Sequence, residues 1–346
     1  MKTILYATLL AIGFYFAAGG HFTRPAPLVA QDTEPTPRPA TADLQKAIDE
    51  QQRTLANVVA ALERIDAARP ASPATRTATE VGCVPGDGRD DHPALQAALD
   101  DGYNLALDGS GLYELSAPLR IAPGTSNVIR GQSAGYRHRA RAVTGLRPLS
   151  ESVSHLIEVP GVAEKSTGQV QVIRDLYLEG TAKTDGIRVH GCDALRIESV
   201  CVRKCKTGIA IDPKIRCYAP ALDGCAILGC DVGLSIKNGT SVCSFSATGC
   251  EILTGRVGVA IDGWKRGAVF TGCVIEGQSE LCLAMQDARC TLIGTYLENS
   301  GLRARMKNSH VVGIDATVGN ASHNATSRID WLGENNRPYT VAYPPP

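Results

Sequence analysis

The chain has 346 residues, 35 of them glycine, and 35 Lys+Arg balance 35 Asp+Glu, so the formal net charge is zero. Neutrality removes the case for a nucleic-acid partner or an anionic membrane surface, because phosphate binding needs a surplus of Lys and Arg. The short cluster from Arg137 to Arg141 reads as a solvated loop.

Ile4 to Gly20 form an apolar run behind Lys2 and end in small residues. At about 17 residues the run is short for a membrane span and suits a secretory segment. Residues 1–22 are therefore expected to be a signal peptide, with an uncleaved membrane anchor as the alternative. Either way the folded part is exported, whether secreted, periplasmic or at the cell surface. A Pro-rich linker follows over 23–41. Over 42–68, Leu44, Ile48, Gln51, Leu55, Val58, Leu62 and Ile65 alternate at spacings of four and three, the seam of a heptad helix. Such a helix either packs on the main domain or forms a short coiled coil, which would make the protein a homo-oligomer such as a trimer. A second linker over 69–80 leads into the main domain, 81–320, and 321–346 form a tail that covers its end or runs free.

The main domain opens with Gly86-Asp87-Gly88-Arg89-Asp90-Asp91-His92-Pro93, followed by an Ala/Leu/Gln-rich run to Asp100. Pro93 suits a first helical turn, and Asp90 or Asp91 can accept its unpaired amides. Leu95, Ala98 and Leu99 would then lie over the domain's open end. These aspartates are read as capping residues and not as catalytic ones.

Six related segments follow, starting at Asp175, Ser199, Gly224, Gly249, Gly272 and Gly294. Each holds two short apolar stretches around a bend, as in Cys225/Ile227 then Leu234/Ile236. Alternation in runs of three to five residues means strands, and a unit of this length means a solenoid. The helical spacing of ankyrin and tetratricopeptide units and the leucine pattern of leucine-rich repeats are both absent, which leaves an all-β, right-handed parallel β-helix. Equivalent residues then form columns about 4.8 Å apart. Gly208, Gly233 and Gly258 share one column and are expected at a corner that needs positive φ. Twelve cysteines in an exported chain suggest disulfides. However, Cys225, Cys250 and Cys273 share a column, as do Cys205 and Cys230, and Cys192, Cys217, Cys243 and Cys290 recur near unit starts. Buried thiol ladders are favoured, with some disulfides as the alternative.

The capping segment, standing directly before such units and followed by Gly111-Leu112-Tyr113, resembles the N-terminal signature of the pectate-lyase superfamily. That group includes rhamnogalacturonase-like and epimerase-like domains and phage tailspikes. The resemblance covers about 81–300. It implies a β-helix with an N-terminal capping helix and an acidic polysaccharide as substrate or partner, acted on by a lyase or a glycoside hydrolase. The Asp-rich signatures of polygalacturonases and the vWiDH and RxPxxR motifs of pectate lyases are absent.

The residue after the second strand is His190, Asp212, Lys237, Asp262 and Gln286 in successive units. Asp212 and Asp262 would stand two turns apart, roughly 9.6 Å. That is near the upper end of the range, about 6.5–9.5 Å, for an inverting glycosidase pair. Lys237 between them disfavours a protonated acid. A lyase uses the trio better, with Lys237 or Arg266 as base or charge stabiliser, and with Asp212 and Asp262 able to hold Ca2+. Trp264 could stack on a sugar ring, and His190 and Arg266 complete the expected substrate-binding set. Glu276 and Glu298 form a second, lower-ranked acidic column. The competing reading is a non-catalytic glycan-binding or envelope protein built on a short coil of roughly six turns. In it only Pro213 to Asp223 is long enough to wall a cleft.

Overall fold

In a computed structural model the chain divides into two units, 1–70 and 71–346. The structure describes residues 73–121, 127–135, 143–161, 170–238, 244–298, 303–318, 321–323 and 326–332, all within the second unit. The export segment, the Pro-rich linker, the heptad helix, the cluster from Arg137 to Arg141 and Cys243 lie outside them.

The second unit is a parallel β-helix, and the eleven strands stacked in one of its sheets make it longer than six repeats imply. Sheet I stacks eleven strands in chain order, from Thr75–Thr77 and Asn104–Ala106 to His310–Ile314 and Arg328–Leu332. Sheet II begins with Gly111–Leu115 and sheet III with Leu119–Arg120. In the middle turns the two merge into single bent strands, Ala226–Lys237, Glu251–Asp262 and Val274–Gln286. Strands thus occur inside both the expected linker over 69–80 and the expected tail after 320, because each of those segments adds a strand to an open end.

Alternation sorts each strand. Val202, Ile227, Ile252, Ile275 and Leu297 are register partners facing inward from sheet II. Ile187, Ile209, Leu234, Val259 and Leu283 do the same from sheet III. All ten are essentially inaccessible. Phe245 and Phe270 stack inside sheet I, ring centroids 5.7 Å apart.

The left-handed corner lies between sheets I and II. It is occupied by Asp175, Ser199, Gly224, Gly249, Gly272 and Gly294, with φ between +51° and +59°. Gly208, Gly233 and Gly258 are different from the expectation, since none has a positive φ. They are glycine for lack of space. A Cβ on Gly233 would sit 2.4 Å from Ile252 Cγ2 and 2.6 Å from the Gly258 carbonyl oxygen, and the same clash recurs one turn either side.

The eleven described cysteines are free and buried. Cys192 and Cys217 form an isolated bridge just before the strands of sheet I, with their sulfurs 3.3 Å apart. Cys225 and Cys273 thiols each donate to backbone carbonyls of the coil, and thiol contact together with burial pushes the Cys250 pKa up to about 12. Such groups act as small apolar filling and not as nucleophiles.

The N-terminal end shows what the capping signature does. An open parallel sheet leaves a row of unpaired amides and carbonyls, and each sheet receives its own cover. Thr75–Thr77 adds a strand to sheet I. On sheet II, Asp91 N–H donates to Glu114 O and the Asp91 carboxylate accepts Glu114 N–H, at 2.8 and 2.9 Å. On sheet III the side-chain amide of Gln96 does the work of a peptide group. It accepts Arg120 N–H at 2.7 Å and donates to Arg120 O at 2.9 Å. Gln96 is carried by helix α1 (His92–Asp100), whose Leu95, Ala98 and Leu99 are buried. The two aspartates divide the labour. Asp90 accepts His92 N–H, Ser116 N–H and the Ser116 hydroxyl, whereas Asp91 occupies the N-cap position without a side-chain cap bond. Burial pushes the Asp90 pKa up, but the bonds from Ser116 and His92 outweigh it and the net shift is downward. For Asp91 burial wins, and its pKa is raised.

Candidate functional site

The register of sheet III places Lys237, Asp262 and Gln286 on successive turns, with Lys307 next. Asp212 precedes them, its carboxylate Oδ2 3.9 Å from Lys237 Nζ, and both side chains are about half exposed. Asp262, Lys265 and Arg266 are exposed. Among the described residues no three His, Cys, Asp or Glu side chains converge as a metal site. An ammonium already stands between the two aspartates, so the row does not fit Ca2+, which takes six to eight oxygens.

Two of the expected substrate-binding side chains are inside the protein. Trp264 is fully buried, with its indole N–H donating to Gly267 O at 3.2 Å. A ring with no accessible face cannot stack on a sugar; it plugs the corner between sheets III and I. His190 is 8% exposed. The loop after Pro213, expected to wall a cleft, instead folds back over it, with the amides of Lys214 and Ile215 both donating to His190 O.

The burial of His190 has chemical content. Its Nδ1 lies 3.3 Å from Asp212 O; a carbonyl can only accept, so Nδ1 carries the proton and Nε2 is turned towards Glu158 Oε1, 4.0 Å away. On the other side of Glu158, Oε2 lies 3.7 Å from His155 Nε2 and 3.8 Å from Arg120 Nε. His155 is buried, its Nδ1 is 2.9 Å from the Ser154 hydroxyl, and its Nε2 has no hydrogen-bond partner. Burial first, and then the charge of Arg188, pull the His155 pKa below its ordinary value against Glu158 and Asp185. Arg188 pairs with the buried carboxylate of Asp185, which also accepts Thr207 N–H at 3.1 Å. The result is one partly exposed carboxylate, Glu158, between two buried imidazoles, with Arg120 and Arg188 on either side of it in the same outward column.

Beyond this cluster the same outward column continues as Ala210, Ser235, Ala260 and Ala284 before reaching Arg305. The outer face of sheet III is therefore charged over its first turns and flat over its later ones, with the row of Asp212, Lys237 and Asp262 along one margin. His190 is the only member of the cluster that the repeat alignment singles out. Asp185 and Arg188 fall inside the first aligned segment, but the column of Arg188 continues as Ala and Ser in later units and carries no signal; His155 and Glu158 come from the turn before it, whose connections differ in length. Arg120 lies within the first strand of the sheet.

A separate cavity of about 230 Å³ lies on the outside of the sheet II–III corner, lined by Arg203, Lys204, Leu228, Gly229, Leu253, Thr254, Glu276 and Gly277. Glu276 and Glu298 are register partners here, and the Tyr296 hydroxyl bonds Glu298.

No protein-family model matches the sequence, and no curated protein matches it. Solved structures do. The enzymatically active domain of tailspike protein 2 of bacteriophage CBA120 superimposes with a TM-score of 0.53 at 15% identity, over 77% of this chain and 43% of that one. Full-length tailspike protein 2 from an Escherichia coli O157:H7 bacteriophage gives 0.48 at 14% identity, over 77% and 42%. The A-module of the mannuronan C-5 epimerase of Azotobacter vinelandii gives 0.36 at 14% identity, over 77% of this chain and 99% of that one. The chain thus spans less than half the length of the tailspike structures it matches. The likeness to the enzymatically active domain of tailspike protein 2 shows the fold alone, a right-handed parallel β-helix.

Proposed function

We propose that this is an exported β-helix protein that acts on an acidic polysaccharide, by a lyase or hydrolase reaction, on the outer face of sheet III. The observation that carries the reading is the Glu158 carboxylate held between His155 and His190 at 3.7 and 4.0 Å. A carboxylate that reaches solvent beside two buried imidazoles can take a proton from a substrate or return one. Arg120 and Arg188 supply the positive field that a uronate carboxylate needs. The flat run from Ala210 to Ala284 leaves room for a sugar chain laid along the coil axis, and Asp212, Lys237, Asp262 and Arg266 would contact it from the margin. The fold shared with a tailspike's enzymatically active domain supports this assignment. Export, through a signal peptide or with a retained membrane anchor as the alternative, and assembly through residues 42–68 belong to the same proposal and are supported by the sequence patterns alone.

The test is turnover on a panel of uronate polymers, scored as new reducing ends and as unsaturated uronate ends. Glu158→Gln should lower turnover by roughly 10²- to 10⁴-fold, the usual contribution of a positioned acid or base, while leaving polymer binding in place. A wild-type protein that binds the polymers but turns none over would establish the non-catalytic glycan-binding reading instead.

A further inference from the structure

We infer that the cavity on the outer face of sheet II is a second oligosaccharide subsite, distinct from sheet III, that takes an acidic sugar with its carboxylate at the Arg203–Lys204 end. The inference rests on the reading that the partner is an acidic polysaccharide. Its starting point is a break in a charge pattern. The outward column that ends each sheet II strand runs Glu114, Arg147, then Glu179, Arg203, Leu228, Leu253, Glu276 and Glu298. Six of these eight positions are charged, as an outward face should be. The two that are not, Leu228 and Leu253, are consecutive and form the floor of the cavity.

Leu228 belongs to a small apolar cluster outside the coil's main core, with Tyr177, Cys201 and Ala226 buried and Leu253 packed against it. An apolar platform bordered by charge suits the hydrophobic face of a pyranose, whose hydroxyls project from its rim. The corner residues sharpen the shape. Lys204, Gly229, Thr254 and Gly277 all have positive φ, between +55° and +74°. Gly229 and Gly277 carry no side chain, so the floor stays open between Lys204 and Thr254 and beyond it. Thr254 is β-branched and held in this region, with its hydroxyl accepting Gly229 N–H at 3.0 Å and donating to Leu253 O at 2.6 Å, a conformation that such residues adopt only under constraint.

The ends of the cavity have opposite sign. Arg203 and Lys204 stand at one end, with Lys204 Nζ 2.6 Å from Glu179, and Glu276 stands at the other. From Arg203 to Glu276 is three strand spacings, about 14 Å, long enough for more than one ring. A uronate carboxylate would join the Arg203–Lys204–Glu179 group, and Glu276 would accept hydroxyl hydrogens from a neighbouring ring. At about 230 Å³ the space lies below the roughly 300–1,000 Å³ of sites that enclose a whole small molecule, which fits one segment of a chain that continues past it.

The probe is a galacturonate trisaccharide, titrated into the full chain by calorimetry and followed by saturation-transfer NMR. Leu253→Asp puts a charge on the floor and should weaken binding at least about tenfold; Glu276→Gln should weaken it less, by about threefold. Melting curves establish that each variant is folded, and Glu276→Gln, an isosteric change at a partly buried side chain, serves if Leu253→Asp is not. Glu158→Gln, on sheet III, should bind the trisaccharide here as wild type does. The inference is overturned if wild type shows no saturation transfer, if the folded cavity variants bind as wild type, or if Glu158→Gln alone removes the binding. Lost turnover in Glu158→Gln with unchanged binding in the cavity variants would sink the second subsite and leave the sheet III reading standing.

Discussion

The first turns of the coil and the later ones share a backbone and differ in almost everything attached to it. Between Leu119 and Asp212 the outer face of sheet III carries Arg120, His155, Glu158, Asp185, Arg188 and His190, several of them buried together. From Ala210 to Ala284 the same face is Ala, Ser, Ala, Ala. Inside, the later turns stack cysteine on cysteine and isoleucine on isoleucine. A repeated turn is a scaffold part, because stacking identical side chains solves one packing problem many times over. A turn that departs from the repeat has given up that economy, and its departures are where polar chemistry has been placed.

The largest expected effect probes the scaffold. Gly233→Ala would push a methyl group against Ile252 Cγ2 at 2.4 Å and the Gly258 carbonyl at 2.6 Å. The isoleucine can turn, but the carbonyl belongs to the next turn's ladder and cannot. Overpacking of this kind costs about 1–3 kcal/mol, measurable as a lower denaturation midpoint. A change within about 0.5 kcal/mol would mean that the stack yields more easily than a repeat should.

The next effect probes the early turns through pH. The folded pKa of His155 is lowered by burial and by Arg188, against Glu158 and Asp185. The folded protein therefore resists a proton that the unfolded chain accepts near its ordinary pKa of about 6.5. The stability tied to neutral His155 is present above that value and is lost as pH falls from about 6.5 through the lowered folded pKa. Denaturant titrations at a series of pH values should show this loss in wild type and a shallower slope for His155→Gln. Equal slopes would show that the imidazole is not held neutral and would weaken the reading of Glu158 as the proton-handling group.

How much of this was legible follows from the same contrast. Equal spacing exposed the later turns, so the fold, the inward columns, the thiol ladders and the line of Asp212, Lys237 and Asp262 could be written down from residue numbers. The capping segment was legible in outline, with Asp90 and Asp91 marked as structural. Gln96, which completes the sheet III edge through two side-chain bonds, looked like any polar helix residue. Trp264 misled because a lone tryptophan beside an exposed aspartate reads as a sugar platform until its burial is known. The Glu158 cluster was hidden because Arg120, His155 and Glu158 come from turns before the aligned units, where connections do not keep the repeat length, while Asp185 and Arg188 have no charged counterparts in the units that follow. The reason given for Gly208, Gly233 and Gly258 failed for a related cause: sequence shows that a side chain is missing, but whether φ or lack of space removed it depends on neighbours a turn away.

The smallest expected effect lies where the two regions meet. Asp212 and Lys237 form an ion pair at 3.9 Å with both side chains about half exposed, and pairs of that kind contribute about 0–1 kcal/mol. Lys237→Met should leave the melting temperature nearly unchanged, since it removes one half-exposed charge and keeps an unbranched apolar stem. If sheet III holds an acidic sugar chain, the same substitution should still weaken polymer binding, and adding salt should weaken the wild type towards the variant. Unchanged stability with weakened, salt-sensitive binding would extend the functional surface from the Glu158 cluster onto the later turns. Unchanged stability with unchanged binding would confine it to the early ones, leaving Asp212, Lys237 and Asp262 as a charge-compensated margin of the scaffold.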